Sequence, residues 1–167
     1  MTTDIVELPG TPLSRQEFES GVLTTHWVPE AQYAWDAGIA ISRYLQGLQN
    51  GEIVGVRCRE CDRTVVPPRL FCEECFRPMD EYVTLQDTGT VNTFSLCYVT
   101  WDVRMLDHPQ IPAVIEIDGA DPLCGILHLL GEVEPEDVHI GMRVQAVWKP
   151  AEERIGAITD IKYFKPV

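Results

Sequence analysis

Four cysteines in two identically spaced pairs constrain this chain more than any other feature. Two residues separate Cys58 from Cys61 and Cys72 from Cys75, and ten residues lie between the pairs. A CxxC turn places two sulfurs on one side of a metal ion, so two such turns complete the tetrahedral thiolate shell of structural zinc. The closed shell leaves no open coordination position, which predicts a structural Zn²⁺ and not a catalytic one.

The segment that carries these cysteines, residues 52–79, has few apolar residues for a core of its own. Metal binding is therefore expected to supply much of its folding free energy. One alternative is a degenerate ribbon whose cysteines no longer hold metal. A redox-active CxxC pair is disfavoured because the βαβ pattern of thioredoxin-like folds is missing around it.

The chain has neither a secretory leader pattern nor an apolar run long enough for a membrane helix. A cytoplasmic location is the resulting expectation, and thiols stay reduced in that compartment. The two remaining cysteines, Cys97 and Cys124, stand singly in apolar segments. We expect both to be buried as small apolar side chains.

Helical signals longer than a single turn lie in the N-terminal third. Residues 1–33 read as an arm, with a short helix over 14–20 that has a capping-box pattern. The arm is apolar enough to pack on its own domain or on another subunit, through Phe18, Trp27, Val28 and Tyr33. A helix is predicted within 34–51, ending at Asn50-Gly51. Its apolar stripe is Ile39, Ile41, Tyr44, Leu45 and Leu48, and its aromatics Trp35 and Tyr44 are interface candidates, a packed core helix being the alternative.

Strand-like segments dominate the C-terminal half. Five of them are separated by turn residues and by one predicted helical turn at 135–138. They cover residues 90–101, 113–118, 124–131, 143–149 and 155–164, with a long loop predicted over 102–112. Five strands without a long intervening helix predict a small closed antiparallel barrel, of which the OB-fold is the common form. The predicted class is mainly β, with an N-terminal helix, a rubredoxin-like zinc ribbon (52–79) and a five-stranded OB-fold (80–167).

The charge distribution weighs against nucleic acid as a ligand. The net charge is −13, whereas nucleic-acid affinity comes from neutralising phosphates with Lys and Arg. Residues 57–77 are the exception, because they hold five arginines and four acids. An anionic ligand would therefore bind at the ribbon or at the C-terminal segment sooner than at the acidic stretch 78–142.

No recognisable catalytic constellation is present in the sequence. None of the four histidines, His26, His108, His128 and His139, has the spacing of a helical metal motif. His128 lies in an apolar run and is expected to be a satisfied core or interface residue, while His108 is expected to be exposed. The chain is interpreted as a binding or accessory module without catalytic residues of its own.

These motifs together resemble a known family. The stretch YLQGLQNGEIVGVRCRECDRTVVPPRLFCEECF is followed in order by GTVNTFSLCYV, AVIEIDGADPLCGILHLLGEV, EDVHIGMRVQAVW and DIKYFKPV. This order is similar to that of the zinc-ribbon plus OB-fold family of acyl-CoA-associated proteins. The resemblance runs from about Tyr44 to the C-terminus and includes all four zinc ligands.

The resemblance implies a non-catalytic subunit that binds a thiolase, a thiolase-like aldolase or a hydroxymethylglutaryl-CoA synthase in a hetero-oligomer. Such a subunit is expected to help form or guard the partner's acyl-CoA site for carbon–carbon bond cleavage of a CoA thioester. Arg57 and Arg69 are the candidates for contact with CoA phosphates, because a guanidinium matches phosphate geometry. Surface salt bridges are the alternative for these arginines. Two other functions stay open: a stand-alone acyl-CoA-binding protein and a single-stranded nucleic-acid-binding OB protein.

Overall fold

The computed structural model describes residues 14–20, 36–100 and 102–167, without the side chains of residues 17 and 18. Residues 1–35 and 36–167 are separate units. In the first unit, helix α1 (Arg15–Glu19) confirms the short helix predicted over 14–20. Trp27, Val28, Tyr33 and Trp35 lie outside the described residues, so the predictions made on them stay predictions.

Helix α2 (Gly38–Asn50) opens the second unit and ends at Gly51, whose φ of 81° is the left-handed conformation that the Asn-Gly pair predicted. Its buried face consists of Ala40, Tyr44, Gly47 and Leu48. Ile39 was wrongly placed in the buried stripe, since it is 67% exposed. Tyr44 is only 4% exposed, so it belongs to the core and not to an exposed interface.

A three-stranded antiparallel sheet follows the helix, in the order β2-β1-β3. Strand β1 is Ile53–Arg57, β2 is Thr64–Val65 and β3 is Glu81–Leu85. We call each CxxC turn a knuckle. The first knuckle, at Cys58 and Cys61, follows β1 directly, and the second, at Cys72 and Cys75, lies between β2 and β3. Strand β3 was not predicted; it pairs with all of β1, from Ile53↔Leu85 to Arg57↔Glu81.

The rest of the second unit is a closed five-stranded barrel, as predicted, although one of its strand pairings is parallel and not antiparallel. The remaining strands are β4 Thr88–Phe94, β5 Cys97–Val99, β6 Met105–Ile117, β7 Gly125–Leu130, β8 Arg143–Trp148 and β9 Ile161–Pro166. The barrel strands run in the order β4-β8-β9-β7-β6, and pairing of β4 with β6 closes the barrel. Among the described strands, β5 is an edge strand that pairs only with β6. The predicted turn at 135–138 is a 3₁₀ turn, Pro135–Asp137.

Two parts of the barrel differ from the prediction. The loop predicted over 102–112 is wrong, because β6 starts at Met105 and pairs with β5 from Val99↔Met105 to Cys97↔Gln110. A register shift between these pairs accommodates the extra residues of β6. The last strand starts at Ile161 and not at residue 155. The buried Asp160 carboxylate accepts the backbone N–H groups of residues 155–157 and holds them in a turn.

Alternating side chains of the barrel strands form the main core, which includes Val91, Ile115, Val144, Ile161 and Phe164. Leu48 of α2 and Ile53 of β1 belong to the same cluster. The ribbon has its own smaller cluster around Val56, Val65 and Met79, which includes two of the metal-motif cysteines. Among the helices described, none has the length and apolarity to cross a membrane.

Candidate functional site

The four cysteines of the two CxxC pairs converge on one point, and none of them forms a disulfide. All four sulfurs lie within 4.8 Å of one another. The Sγ atoms of Cys58 and Cys75 are 3.6 Å apart, and those of Cys61 and Cys72 are 3.9 Å apart. A tetrahedron with Zn–S bonds of about 2.3 Å has sulfur–sulfur edges of about 3.8 Å. The donor set and its spacing therefore fit a four-thiolate zinc site.

The two knuckles share one backbone design. In each, the N–H of the first cysteine donates to the carbonyl five residues later, from Cys58 to Arg63 at 2.7 Å and from Cys72 to Arg77 at 2.9 Å. The residue after each second cysteine adopts a positive φ, 56° at Asp62 and 57° at Phe76. This conformation turns the chain tightly enough to bring both sulfurs of a pair to one side.

Local hydrogen bonds favour a thiolate at Cys72. The backbone N–H groups of Cys75 and Glu74 lower the pKa of its thiol to about 7. Since the thiolate is the form that binds metal, this environment suits a metal ligand near neutral pH. Cys58 and Cys72 are buried, whereas Cys61 and Cys75 are half-buried, so the centre lies at the edge of the ribbon core.

The ribbon arginines are engaged by carboxylates. Arg57 bonds Asp62 through Nε at 2.6 Å and lies 3.9 Å from Glu81. Arg69 pairs with Glu73 at 3.2 Å. The remaining pairs are Arg59 with Asp80 and Glu81, and Arg63 with Glu73 and Glu74. The surface salt bridges weighed as an alternative are thus present, and a CoA contact by Arg57 or Arg69 stays a prediction. Arg77 has no ion pair within the described residues.

Three apolar side chains of the second knuckle point into solvent. Leu70 is 46% exposed, Phe71 58% and Phe76 78%. The backbone around them is held by Met79 N–H donating to Leu70 O at 2.9 Å and by a bridge between Phe71 and Pro78. We call these three residues the ribbon apolar patch. Sequence reasoning missed it, because exposed and buried apolar residues look alike in a segment without periodicity.

The other singled-out residues lie away from the metal centre, except for Cys124. Cys124 is buried beside the ribbon cluster, as expected, with its sulfur 3.8 Å from an Arg63 nitrogen. Cys97 is only half-buried, so the expectation for it is wrong. His108 is exposed as expected. His128 is satisfied as expected, since it contacts the Phe164 ring edge-on and hydrogen-bonds Ile158 O. His26 lies outside the described residues.

Comparisons with known proteins agree with this architecture. The model of the ChsH2 rubredoxin-like zinc ribbon domain matches residues 45–80, and that of the ChsH2 C-terminal OB-fold domain matches residues 82–149. A DUF35 domain-containing scaffold protein of Methanocaldococcus jannaschii is 33% identical over 118 residues, which are 69% of this chain and 82% of that protein.

Two solved structures have a similar fold. A DUF35-family protein of unknown function from Sulfolobus solfataricus superposes with a TM-score of 0.58 at 26% identity, covering 66% of this chain and 78% of that one. A chain of the Ltp2-ChsH2(DUF35) aldolase superposes with a TM-score of 0.57, covering 81% of this chain and 98% of that one. Its identity is 19%, so this second likeness concerns the fold.

Proposed function

Because this chain belongs to the DUF35 family, which joins a ChsH2-type zinc ribbon to an OB-fold, we propose that it is a non-catalytic accessory subunit of a thiolase or thiolase-like aldolase. In this role it helps to form or guard the partner's acyl-CoA site while the partner cleaves a carbon–carbon bond of a CoA thioester. The scaffold protein among its relatives and the aldolase complex that shares its fold support an accessory role in a complex.

The ribbon apolar patch is the observation that carries the proposal. A chain with a large excess of acidic residues exposes Leu70, Phe71 and Phe76 together on one short knuckle. Metal binding at Cys72 and Cys75, within the same knuckle, holds its backbone in place. Aromatic side chains on a preorganised surface lose little conformational entropy on binding and are frequent anchors of protein interfaces.

The CoA contact is proposed for the interface and not for the isolated ribbon. A CoA phosphate must compete with Asp62 for Arg57 and with Glu73 for Arg69, since these carboxylates already hold both guanidinium groups. Such exposed pairs contribute about 1 kcal/mol or less each, so a phosphate in a partner-enclosed site can displace them. The partner then supplies most of the basic charge that the acidic barrel lacks.

Purification of the chain from its own host, with identification of any thiolase-type protein that accompanies it, tests the proposal. We expect one complex in size-exclusion chromatography, and a change in the partner's rate of acyl-CoA cleavage when this chain is added. Phe76→Asn should weaken the complex about tenfold or more, because it removes an interface aromatic while asparagine tolerates a positive φ. The matched control is Ile140→Asn, which changes a side chain that is similarly exposed but lies outside the ribbon.

A complex that Phe76→Asn and Ile140→Asn weaken equally would show that the ribbon patch is not the interface. Absence of any complex, together with an unchanged cleavage rate, would reject the accessory role itself.

A further inference from the structure

One loop of the barrel reaches into the core of the ribbon. This loop joins β6 to β7 and runs from Asp118 to Cys124. Cys124 is 6% exposed and belongs to the same buried cluster as Cys58 and Cys72, two of the metal-motif cysteines. Ala120 packs against both the ribbon cluster and the main core of the barrel. The β6–β7 loop therefore completes the core around the metal centre.

Asp121 fixes this loop to the ribbon through both main-chain polar groups of one residue. The N–H of Thr64 donates to the Asp121 carboxylate at 2.6 Å, and the Asp121 N–H donates to the Thr64 carbonyl at 2.8 Å. Thr64 lies on β2, an edge strand of the ribbon sheet, and follows the residue whose carbonyl closes the first knuckle. The loop is thus hydrogen-bonded to the ribbon directly beside this knuckle.

Arg63 connects the loop with both knuckles. Its carbonyl accepts the Cys58 N–H at 2.7 Å, and one guanidinium nitrogen pairs with Glu73 at 2.8 Å and with Glu74 at 3.1 Å. The two glutamates are the residues between the cysteines of the second knuckle. The other terminal nitrogen of Arg63 donates to the Cys124 sulfur at 3.8 Å. A single side chain therefore holds the second knuckle and the barrel loop against the end of the first knuckle.

Burial sets Arg63 apart from other arginines of the metal motif. Its side chain is 21% exposed, compared with 68% for Arg59 and 56% for Arg69. Partly buried charge pairs are screened by solvent and salt much less than exposed ones. The contacts of Arg63 are therefore expected to restrain the metal centre more than those of Arg59.

From these contacts we propose that Arg63, Asp121 and Cys124 are positioning residues of the zinc centre, which hold the two knuckles together, and that zinc in turn holds the β6–β7 loop against the ribbon. Residues beyond the direct ligands orient those ligands, and their replacement commonly weakens metal binding about 10–100-fold. Such coupling is reciprocal, so loss of zinc should release the barrel loop. This inference does not rest on the identity of any partner enzyme.

The zinc affinity of the full chain, measured by competition with a chromogenic chelator, tests the first half of the proposal. Arg63→Met removes the guanidinium and keeps much of the apolar stem, and it should weaken zinc binding about tenfold or more. Arg59→Met is the matched control, because Arg59 lies inside the first knuckle but pairs with Asp80 and Glu81. This control should change the affinity by less than about threefold. Dispersed amide spectra verify that each variant is folded.

The two loop residues are tested in the same assay. Asp121→Ala should weaken zinc binding about tenfold, whereas Asp121→Asn should stay within about threefold of wild type, because an amide oxygen can still accept the Thr64 N–H. Cys124→Ala should add little further loss in an Arg63→Met background, since the two side chains share one contact. Asp160→Ala controls for general destabilisation: this buried carboxylate holds the turn before β9 and should leave the zinc affinity unchanged.

Hydrogen exchange of the wild-type chain tests the second half without any substitution. After EDTA removes the zinc, the amides of Asp121 and Cys124, which are hydrogen-bonded in and beside the loop, should exchange at least about tenfold faster. The amides of Gly131, at the other end of β7, and of Lys149 are hydrogen-bonded within the barrel and should keep their rates.

Three results would overturn the proposal. The first is an unchanged zinc affinity in Arg63→Met and Asp121→Ala. The second is an equal loss in these variants and in Arg59→Met or Asp160→Ala, which would reflect general destabilisation. The third is exchange at the loop amides that zinc removal accelerates no more than exchange elsewhere in the barrel. Because neither measurement uses a partner enzyme, failure here leaves the accessory role intact.

Discussion

The buried hydroxyl of Tyr44 gives a quantitative test of the packing between α2 and the barrel. Tyr44 is 4% exposed, and its Oη has no hydrogen-bond partner in the described structure. A buried polar group without a partner destabilises the folded state by about 1–3 kcal/mol. Replacement by phenylalanine keeps the ring in the same cluster as Leu48 and Ile53. We expect Tyr44→Phe to raise the free energy of unfolding by about 1 kcal/mol at pH 7.

Alkaline pH should enlarge this difference. Burial raises the pKa of Tyr44 from 10.0 to about 12, because the phenolate is poorly solvated in the core. A group whose pKa is raised by folding contributes its full stabilisation at pH values below its unfolded pKa. This contribution is lost as the pH rises through the pKa of the folded state. At pH 11 the unfolded tyrosine is mostly ionised and the folded one is not, which adds about 1.4 kcal/mol to the advantage of the variant.

Urea unfolding of wild type and Tyr44→Phe, followed by circular dichroism at pH 7 and pH 11, measures both effects. Tyr98→Phe is the control: that side chain is 46% exposed, and its stability should change by less than about 0.5 kcal/mol. A Tyr44→Phe variant that is less stable than wild type at pH 7, or whose advantage is the same at both pH values, would show that the buried hydroxyl does not destabilise the folded state.

Three further substitutions test other parts of the structure. Cys72→Ser should loosen the ribbon and reduce the zinc content below one equivalent per chain, as measured by elemental analysis. Cys97→Ser, outside the cysteine cluster, should keep the full zinc content. Equal zinc content in the two variants would contradict the four-cysteine site. Asp160→Ala should cost about 3 kcal/mol in urea unfolding, because it leaves three backbone N–H groups without their carboxylate. Burial opposes ionisation of Asp160, but hydrogen bonds from these N–H groups outweigh burial and lower its pKa. The loss of stability in Asp160→Ala should therefore shrink as the pH falls below about 4. A loss that does not depend on pH would contradict the role of the ionised carboxylate. Gly89→Ala should lower the free energy of unfolding by about 1–3 kcal/mol, because the added Cβ would lie 2.3 Å from the Glu116 carbonyl oxygen on β6. An unchanged unfolding midpoint would show that β4 and β6 can move apart to accommodate it.

Local pattern was sufficient to predict the metal centre and most of the barrel. The CxxC spacing encodes its own geometry, and alternation over Arg143–Trp148 marks a strand with one buried face. Strand β3 escaped prediction because its residues are mostly half-buried and it is stabilised by pairing with β1, far along the sequence. Ile39 was misplaced for a related reason: near the start of a helix, the apolar pattern alone does not decide which face packs on the core.

The groove between β7 and the chain that enters β9 could not be predicted from sequence. Its walls come from β7 and from residues some thirty positions later, and it depends on where two strands stop pairing. The start of β6 at Met105 was equally hidden, since prolines normally indicate a loop and the pairing of this segment with β5 is not visible in the local pattern. Ion pairing of the ribbon arginines was left open by the sequence, because acids and arginines alternate there.

Native mass spectrometry of the chain purified from its own host tests whether it is a zinc-containing accessory subunit. We expect a complex whose mass is the sum of this chain, one zinc ion per copy and a thiolase-type subunit, and which dissociates when the metal is chelated. A chain that is recovered alone, or a complex that contains no zinc and survives chelation, would contradict it.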